Sequence, residues 1–114
     1  MIGGQKIKVK DNSIEVASLR TPIVNIIDEL HITASILKFP DPVITSGTDS
    51  HKTGLHTTGN AIDLRCNAAN GMNKTKCLQW VVTLASALGP NYDVMYEEFL
   101  ANPGNSHIHI EYDP

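Results

Sequence analysis

Four of the five histidines in this 114-residue chain fall in two short segments. The first runs His51-Lys-Thr-Gly-Leu-His56-Thr-Thr-Gly59-Asn-Ala61-Ile-Asp63, and the second is His107-Ile108-His109. In a strand, residues two apart share a face, so His107 and His109 point together while Ile108 points the other way. If Ile62 enters a buried face, Asp63 points opposite to it, into a cleft lined by the preceding loop. Imidazole and carboxylate are ligands that zinc accepts, and a catalytic zinc site uses three protein ligands and keeps one position for water. His56, Asp63 and His109 meet that requirement: two neutral imidazoles and one carboxylate leave the ion a strong Lewis acid toward water. Either segment alone is a weak signal, because a loop histidine is usually solvated and an HxH pair often sits on a strand surface. Their combination with the glycine-rich spacing between His56 and Asp63 is what gives weight to a metal site.

The elements that must position these residues follow from periodicity and punctuation. Lys6-Ile7-Lys8-Val9-Lys10 alternates as a half-exposed or edge strand does. Thr21-Pro22 opens a helix, with Thr21 as cap and Pro22 at the first helical position. Ile23, Ile26, Ile27, Leu30, Ala34 and Leu37 recur on one face, and the helix is expected to stop near Lys38, ahead of Pro40 and Pro42. His31 falls in this helix, exposed or partly buried. Val43 to Thr45 predicts a short strand. The polar stretch from Ser46 to Asn60 has no period, and loops of that length usually carry function. Ala61 to Cys66 predicts a second strand. A helix from about Asn73 to Leu88 buries Cys77, Trp80, Val81, Leu84 and Leu88, with Trp80 as core, and Gly89-Pro90 ends it. Tyr92 to Glu97 and His107 to Tyr112 predict two more strands joined by a turn at Asn102-Pro103-Gly104-Asn105. This order favours a single α+β domain over residues 1–114, its sheet covered on one face by two helices.

Composition narrows the function classes. Apolar residues make up 41% and charged residues 18% of the chain, enough apolar content for one core and too little charge for disorder. A net charge of −3 gives no basic field for a phosphate backbone, so nucleic acid is not an expected partner. No apolar run reaches the roughly 20 residues of a membrane span. The start, MIGGQKIKVK, lacks the apolar region of a secretory signal, so synthesis without such a signal is expected. Cys66 and Cys77 do not form the close pairs of a zinc ribbon. They read as two small apolar residues, reduced in a cytosolic setting, and the spacing leaves a disulfide open.

Ser46-Gly47, His56-Thr-Thr-Gly59-Asn-Ala61-Ile-Asp63 and His107-Ile-His109 together resemble the HxxGxAxD plus HxH pattern of zinc D,D-carboxypeptidases and of related L,D- and D,L-endopeptidases of peptidoglycan. The amino-terminal domain of hedgehog signalling proteins shares it. Thr45-Ser-Gly-Thr-Asp49, Leu55-His56 and Val94-Met-Tyr-Glu97 resemble the corresponding hedgehog segments, and the similarity covers roughly residues 43 to 66 and 92 to 113.

The resemblance implies a hedgehog/DD-peptidase-like fold with an antiparallel sheet. It implies one zinc ion per chain on His56, Asp63 and His109, with Glu97 as general base. His107 would stabilise the oxyanion or assist proton transfer, and His51 would line the cleft. Gly59 and Ala61 would be small so that the loop folds closely around the metal. The implied activity is hydrolysis of amide bonds in peptidoglycan stem peptides by a monomer. A phage-type or virion-associated enzyme, or a bacterial one released to the cell wall by other means, would suit a chain without its own signal. A hedgehog-like module that holds zinc and binds a partner without turnover is the alternative. A structural zinc site is weaker, because such sites are usually closed by four ligands rich in cysteine.

Two departures from the pattern bear on specificity. Many bacterial members carry an arginine in the loop after Ser-Gly that binds the substrate carboxylate. Here Asp49 stands in that loop as a substrate-facing residue, and Lys52 or Arg65 could take the missing arginine's place. The base normally lies a few residues before HxH, whereas here Glu98 to Ser106 intervene. Glu98 is thus a rival to Glu97, but alternation lets only one of the two face the metal, and the register favours Glu97. Glu111 shares the face of His107 and His109, where it could support an imidazole N–H or simply end a solvated strand.

Overall fold

The computed structural model describes residues 8–9, 21–46, 60–68 and 71–114. The expected loop of Ser46 to Asn60 lies almost wholly outside them, as does most of the first strand. In chain order the elements are β1 (Lys8–Val9), α1 (Thr21–Val24), α2 (Ile27–Ile36), β2 (Val43–Ser46), β3 (Ala61–Arg65), α3 (Lys74–Leu88), β4 (Tyr92–Glu97) and β5 (His107–Tyr112). The sheet order is β1-β2-β3-β5-β4. The last four strands pair antiparallel, and β1 joins the edge parallel to β2, so the sheet is not wholly antiparallel.

The expected single helix after Thr21 is two. Ile26 N–H bonds the carbonyl of Ile23 rather than that of residue 22, and a tightened turn at Asn25–Ile26 separates α1 from α2. The β-branched pairs Ile23-Val24 and Ile26-Ile27 crowd χ1 in a regular helix. The tighter three-residue turn keeps Ile23, Ile26, Ile27 and Leu30 all in the core. The helix stops where expected: Phe39 N–H returns to the Ala34 carbonyl and Lys38 N–H to that of Ser35, with Lys38 at φ 60°. This is a Schellman closure with lysine where glycine is usual. α3 begins on an Asn73 cap, whose side chain accepts from Lys76 N–H at 2.9 Å, and ends at Gly89, φ 87°.

One face of the sheet is apolar. Ile44, Ile62, Leu64, Ile108 and Ile110 meet Leu30 and Ala34 of α2 and Trp80 and Leu84 of α3 in a continuous core. Trp80 Nε1–H donates to Thr33 Oγ1 at 2.8 Å, satisfying the indole and clasping α3 to α2. Trp80 is thus core, as its helical neighbours predicted. Cys66 and Cys77 are a disulfide, Cα–Cα 6.0 Å, correcting the reading of two reduced thiols. It ties the end of β3 to the first turn of α3, a juxtaposition no spacing rule supplies.

Candidate metal and catalytic site

The opposite face of the sheet carries the polar residues, and strand pairing arranges them in rows. β5 lies between β3 and β4. Arg65, His107 and Glu97 form one row, Asp63, His109 and Met95 the next, and Ala61, Glu111 and Asp93 a third. Paired residues in neighbouring strands share a face and stand close enough to touch. The alternation that buries Ile108 and Ile110 therefore delivers His107, His109 and Glu111 to this side, as the sequence predicts.

Four groups converge. His109 Nδ1 lies 2.8 Å from Asp63 Oδ1 and 3.8 Å from Glu97 Oε1. His107 Nε2 lies 2.9 Å from Glu97 Oε1 and 3.5 Å from Asp63 Oδ1. Asp63 is buried, with its side chain 5% exposed, whereas that of Glu97 is 42% exposed. The buried carboxylate suits a fixed ligand and the open one a group that meets water and substrate. Glu98 points to the other side and pairs with Lys74 Nζ at 3.1 Å, so Glu97 alone of the two glutamates faces the histidines.

The outer nitrogen of each imidazole is engaged. His107 Nδ1–H donates to the Asn105 carbonyl at 2.9 Å, and His109 Nε2 lies 3.1 Å from Glu111 Oε1. With protons on these outer nitrogens, a lone pair is left on His107 Nε2 and on His109 Nδ1, both directed at carboxylate oxygens. Acceptors facing acceptors at such distances need a proton or a cation between them. In the metal-free protein these carboxylates favour a proton on His109. Burial disfavours its imidazolium, but the hydrogen bond and charge of Asp63, with Glu111 and Glu97, outweigh burial and raise its pKa above the ordinary value. Oxygen and imidazole donors with their far sides already satisfied also fit zinc. Asp63, Glu97 and His107 bring one ligand atom each to within 4.8 Å of the others.

The structure thus brings together Asp63, His109, Glu97 and His107. His51, His56 and Asp49, with Gly59 and Lys52, lie outside the described residues. Asp63 and His109 of the expected ligand triad are in contact, and the nearness of Glu97 and His107 to the same point makes them rivals for coordination as well as candidate proton carriers. Arg65 occupies the same face, beside His107 in the register. His31 is partly buried on α2, away from this face.

Three contributors were not anticipated. Buried Asn67 donates through Nδ2 to the carbonyls of Gly104 (2.8 Å) and Ser106 (3.2 Å), pinning the long β4–β5 connection that presents His107. The Asn105 carbonyl in that connection orients the His107 ring. Phe99 lies against the same ring, centroids 5.6 Å apart, and also lines a cleft of about 260 Å³ with Met72, Tyr96, Leu100 and Ser106. In the sequence, Asn67 reads only as the first residue of a turn from Asn67 to Gly71. Its long-range role depends on how the hairpin folds back.

No helix among the described residues is long and apolar enough to cross a membrane. No family model, curated protein or solved structure matches the chain.

Proposed function

We propose that this chain is a zinc-dependent peptidase of the hedgehog/DD-peptidase fold, acting on amide bonds of peptidoglycan stem peptides. The observation that carries the reading is the convergence of Asp63, Glu97, His107 and His109 on one sheet face, each imidazole held from behind by an acceptor. The motif resemblance of residues 43 to 66 and 92 to 113 supplies the substrate class. Asp63 and His109, with His56, hold the metal in this reading. Bound zinc supplies a Lewis acid that lowers the pKa of water and polarises the amide carbonyl.

The chain's own groups carry the protons. Glu97, the exposed carboxylate, takes the proton of the attacking water and returns it to the leaving amine. His107 shares a hydrogen bond with Glu97 through Nε2, and with a proton there it donates to the developing oxyanion. Its Nδ1–H bond to Asn105 keeps the ring from turning away as charge develops. The small α+β scaffold supports this division of labour, because Asp63, His109, His107 and Glu97 sit on adjacent paired strands.

The test is incubation of the pure protein with defined muropeptides, products identified by mass spectrometry, with and without a chelator. Chelator-sensitive amide cleavage is expected. Stoichiometric zinc without cleavage would assign the chain to the class of partner-binding modules instead.

A further inference from the structure

Asn67 connects the disulfide to the connection that carries His107. It follows Cys66 directly and lies within the loop that the bridge closes, whose ends are 11 residues apart. Cys66 and Cys77 are fully buried, whereas Ala68, Gly71 and Asn73 to Lys76 are exposed, so a surface loop hangs between two buried sulfurs. The buried side-chain amide of Asn67 donates to the carbonyls of Gly104 and Ser106, on either side of Asn105. The Asn105 carbonyl in turn lies 2.9 Å from His107 Nδ1. Ser106 Oγ accepts from Phe99 N–H, and the Phe99 ring packs against that of His107. A shift of Asn67 therefore moves both the backbone behind His107 and the ring beside it.

The loop's own bonds, Gly71 N–H to the Ala68 carbonyl and Met72 N–H to the Asn67 carbonyl, tie it to itself. The bridge is what fastens its start covalently to α3. In the reduced chain only packing does so. We propose that Asn67 is a positioning residue for His107, and that closing the Cys66–Cys77 bridge sets it in place, so that oxidation brings the site to its full rate. This rests on the reading of His107 as the group that donates to the oxyanion. The step is thiol–disulfide exchange: the two thiols give up two protons and two electrons to a small-molecule disulfide, which leaves as two thiols, and the S–S bond forms between Cys66 and Cys77. Exchange takes place while the exposed loop is open, because the closed fold covers both sulfurs. The same cover shields the finished bridge from thiols, so activation runs one way. Such a chain is slow in a reducing compartment and fast in an oxidising one.

The experiment compares the full chain oxidised with glutathione disulfide, the same chain refolded in dithiothreitol, the double variant Cys66→Ser with Cys77→Ser, and oxidised Asn67→Ala. Each is assayed for kcat and KM on a defined muropeptide, for zinc content and for near-UV circular dichroism. Backbone ¹H–¹⁵N spectra follow the amides of Gly104 to His107. The reduced chain and the serine variant are expected to be folded and zinc-loaded, with KM little changed and kcat lower by about 10²-fold, the scale of a small misplacement of a catalytic group. Oxidised Asn67→Ala should show the same fall, and reduction should lower it no further. The amides of Gly104 to His107 should move on reduction. A folded reduced chain with the kcat of the oxidised one overturns the proposal. So does a further fall when Asn67→Ala is reduced, and so does a reduced chain that does not fold, which would place the redox dependence in folding. Oxidised wild type that cleaves nothing overturns the peptidase reading instead. The amides then decide the link from bridge to His107, and unmoved amides in the reduced chain overturn that as well.

Discussion

His109 and Asp63 are 46 residues apart in the chain and register partners in the sheet, with His109 Nδ1 2.8 Å from Asp63 Oδ1. Strand pairing makes this contact, so it persists as long as β3 and β5 stay aligned. A one-residue slip would send His109 into the core and Ile108 or Ile110 into the site. The site is therefore as well specified as the hydrophobic face beneath it.

Metal content is the first consequence. One zinc per chain is expected in the wild type and none after Asp63→Ala or His109→Ala, read by elemental analysis of purified protein. Both variants retaining full zinc would remove these residues from the site.

Glu97 and Glu98 separate by face. Glu97→Gln should retain zinc and reduce turnover by about 10²–10⁴-fold, the usual worth of a general base. Glu98→Gln loses only an exposed pair with Lys74, worth about 0–1 kcal/mol, and should leave turnover unchanged. Loss of zinc in Glu97→Gln would make Glu97 a ligand rather than a base.

Much of this geometry was legible in the chain because it has period two. His107-Ile108-His109-Ile110-Glu111 alternates, and the structure places the isoleucines in the core and the polar residues on the site face. Asn73 and Gly89 bound α3 through local backbone chemistry, which sequence carries directly. What was hidden depends on contacts between distant segments. Pairing of Cys66 with Cys77 needs their Cα separation, and the anchoring of Gly104 and Ser106 by Asn67 needs the folded hairpin. Support of an imidazole by Glu111 was one of two readings the shared face left open, and its contact with His109 Nε2 decides between them. The break at Asn25–Ile26 escaped because its apolar residues satisfy a helical spacing on both sides of the tightened turn.

The raised pKa of His109 couples metal-free stability to pH. A group whose pKa is higher folded than unfolded contributes its full stabilisation below the unfolded value, about 6.5 for histidine, and loses it as pH rises through the folded value. In chelator, Tm should therefore fall as pH rises from about 6 through the folded pKa of His109. With zinc the trend should reverse, since proton and metal compete for Nδ1. Asp63→Asn should flatten the metal-free slope. An unchanged slope in that variant would place its origin elsewhere.

The disulfide closes a short loop between β3 and α3. In the chain-entropy account, a loop of this length stabilises the fold by roughly 3 kcal/mol. Urea unfolding with and without reductant should show a lower midpoint for the reduced protein, and alkylation should label both buried cysteines only after reduction. Equal midpoints would show that the cross-link constrains nothing the core does not already hold.

The proposed peptidase activity has two candidate bonds, a terminal and an internal one. A D,D-carboxypeptidase must hold a free terminal carboxylate, and in the resembling enzymes an arginine after Ser-Gly does so. Here that loop carries Asp49, whose charge repels a carboxylate. Cleavage within the stem peptide is therefore expected to dominate over release of terminal D-alanine. The opposing feature is Arg65, a cation on the site face in the same row as His107 and Glu97. The two cases are separated by quantifying free D-alanine and internal fragments from one muropeptide, for the wild type and Arg65→Met. Internal fragments from both proteins in similar yield support the repulsion by Asp49. Free D-alanine as the main product, lost in Arg65→Met, would assign the carboxylate clamp to Arg65 and make the proposed peptidase a carboxypeptidase with its arginine on β3.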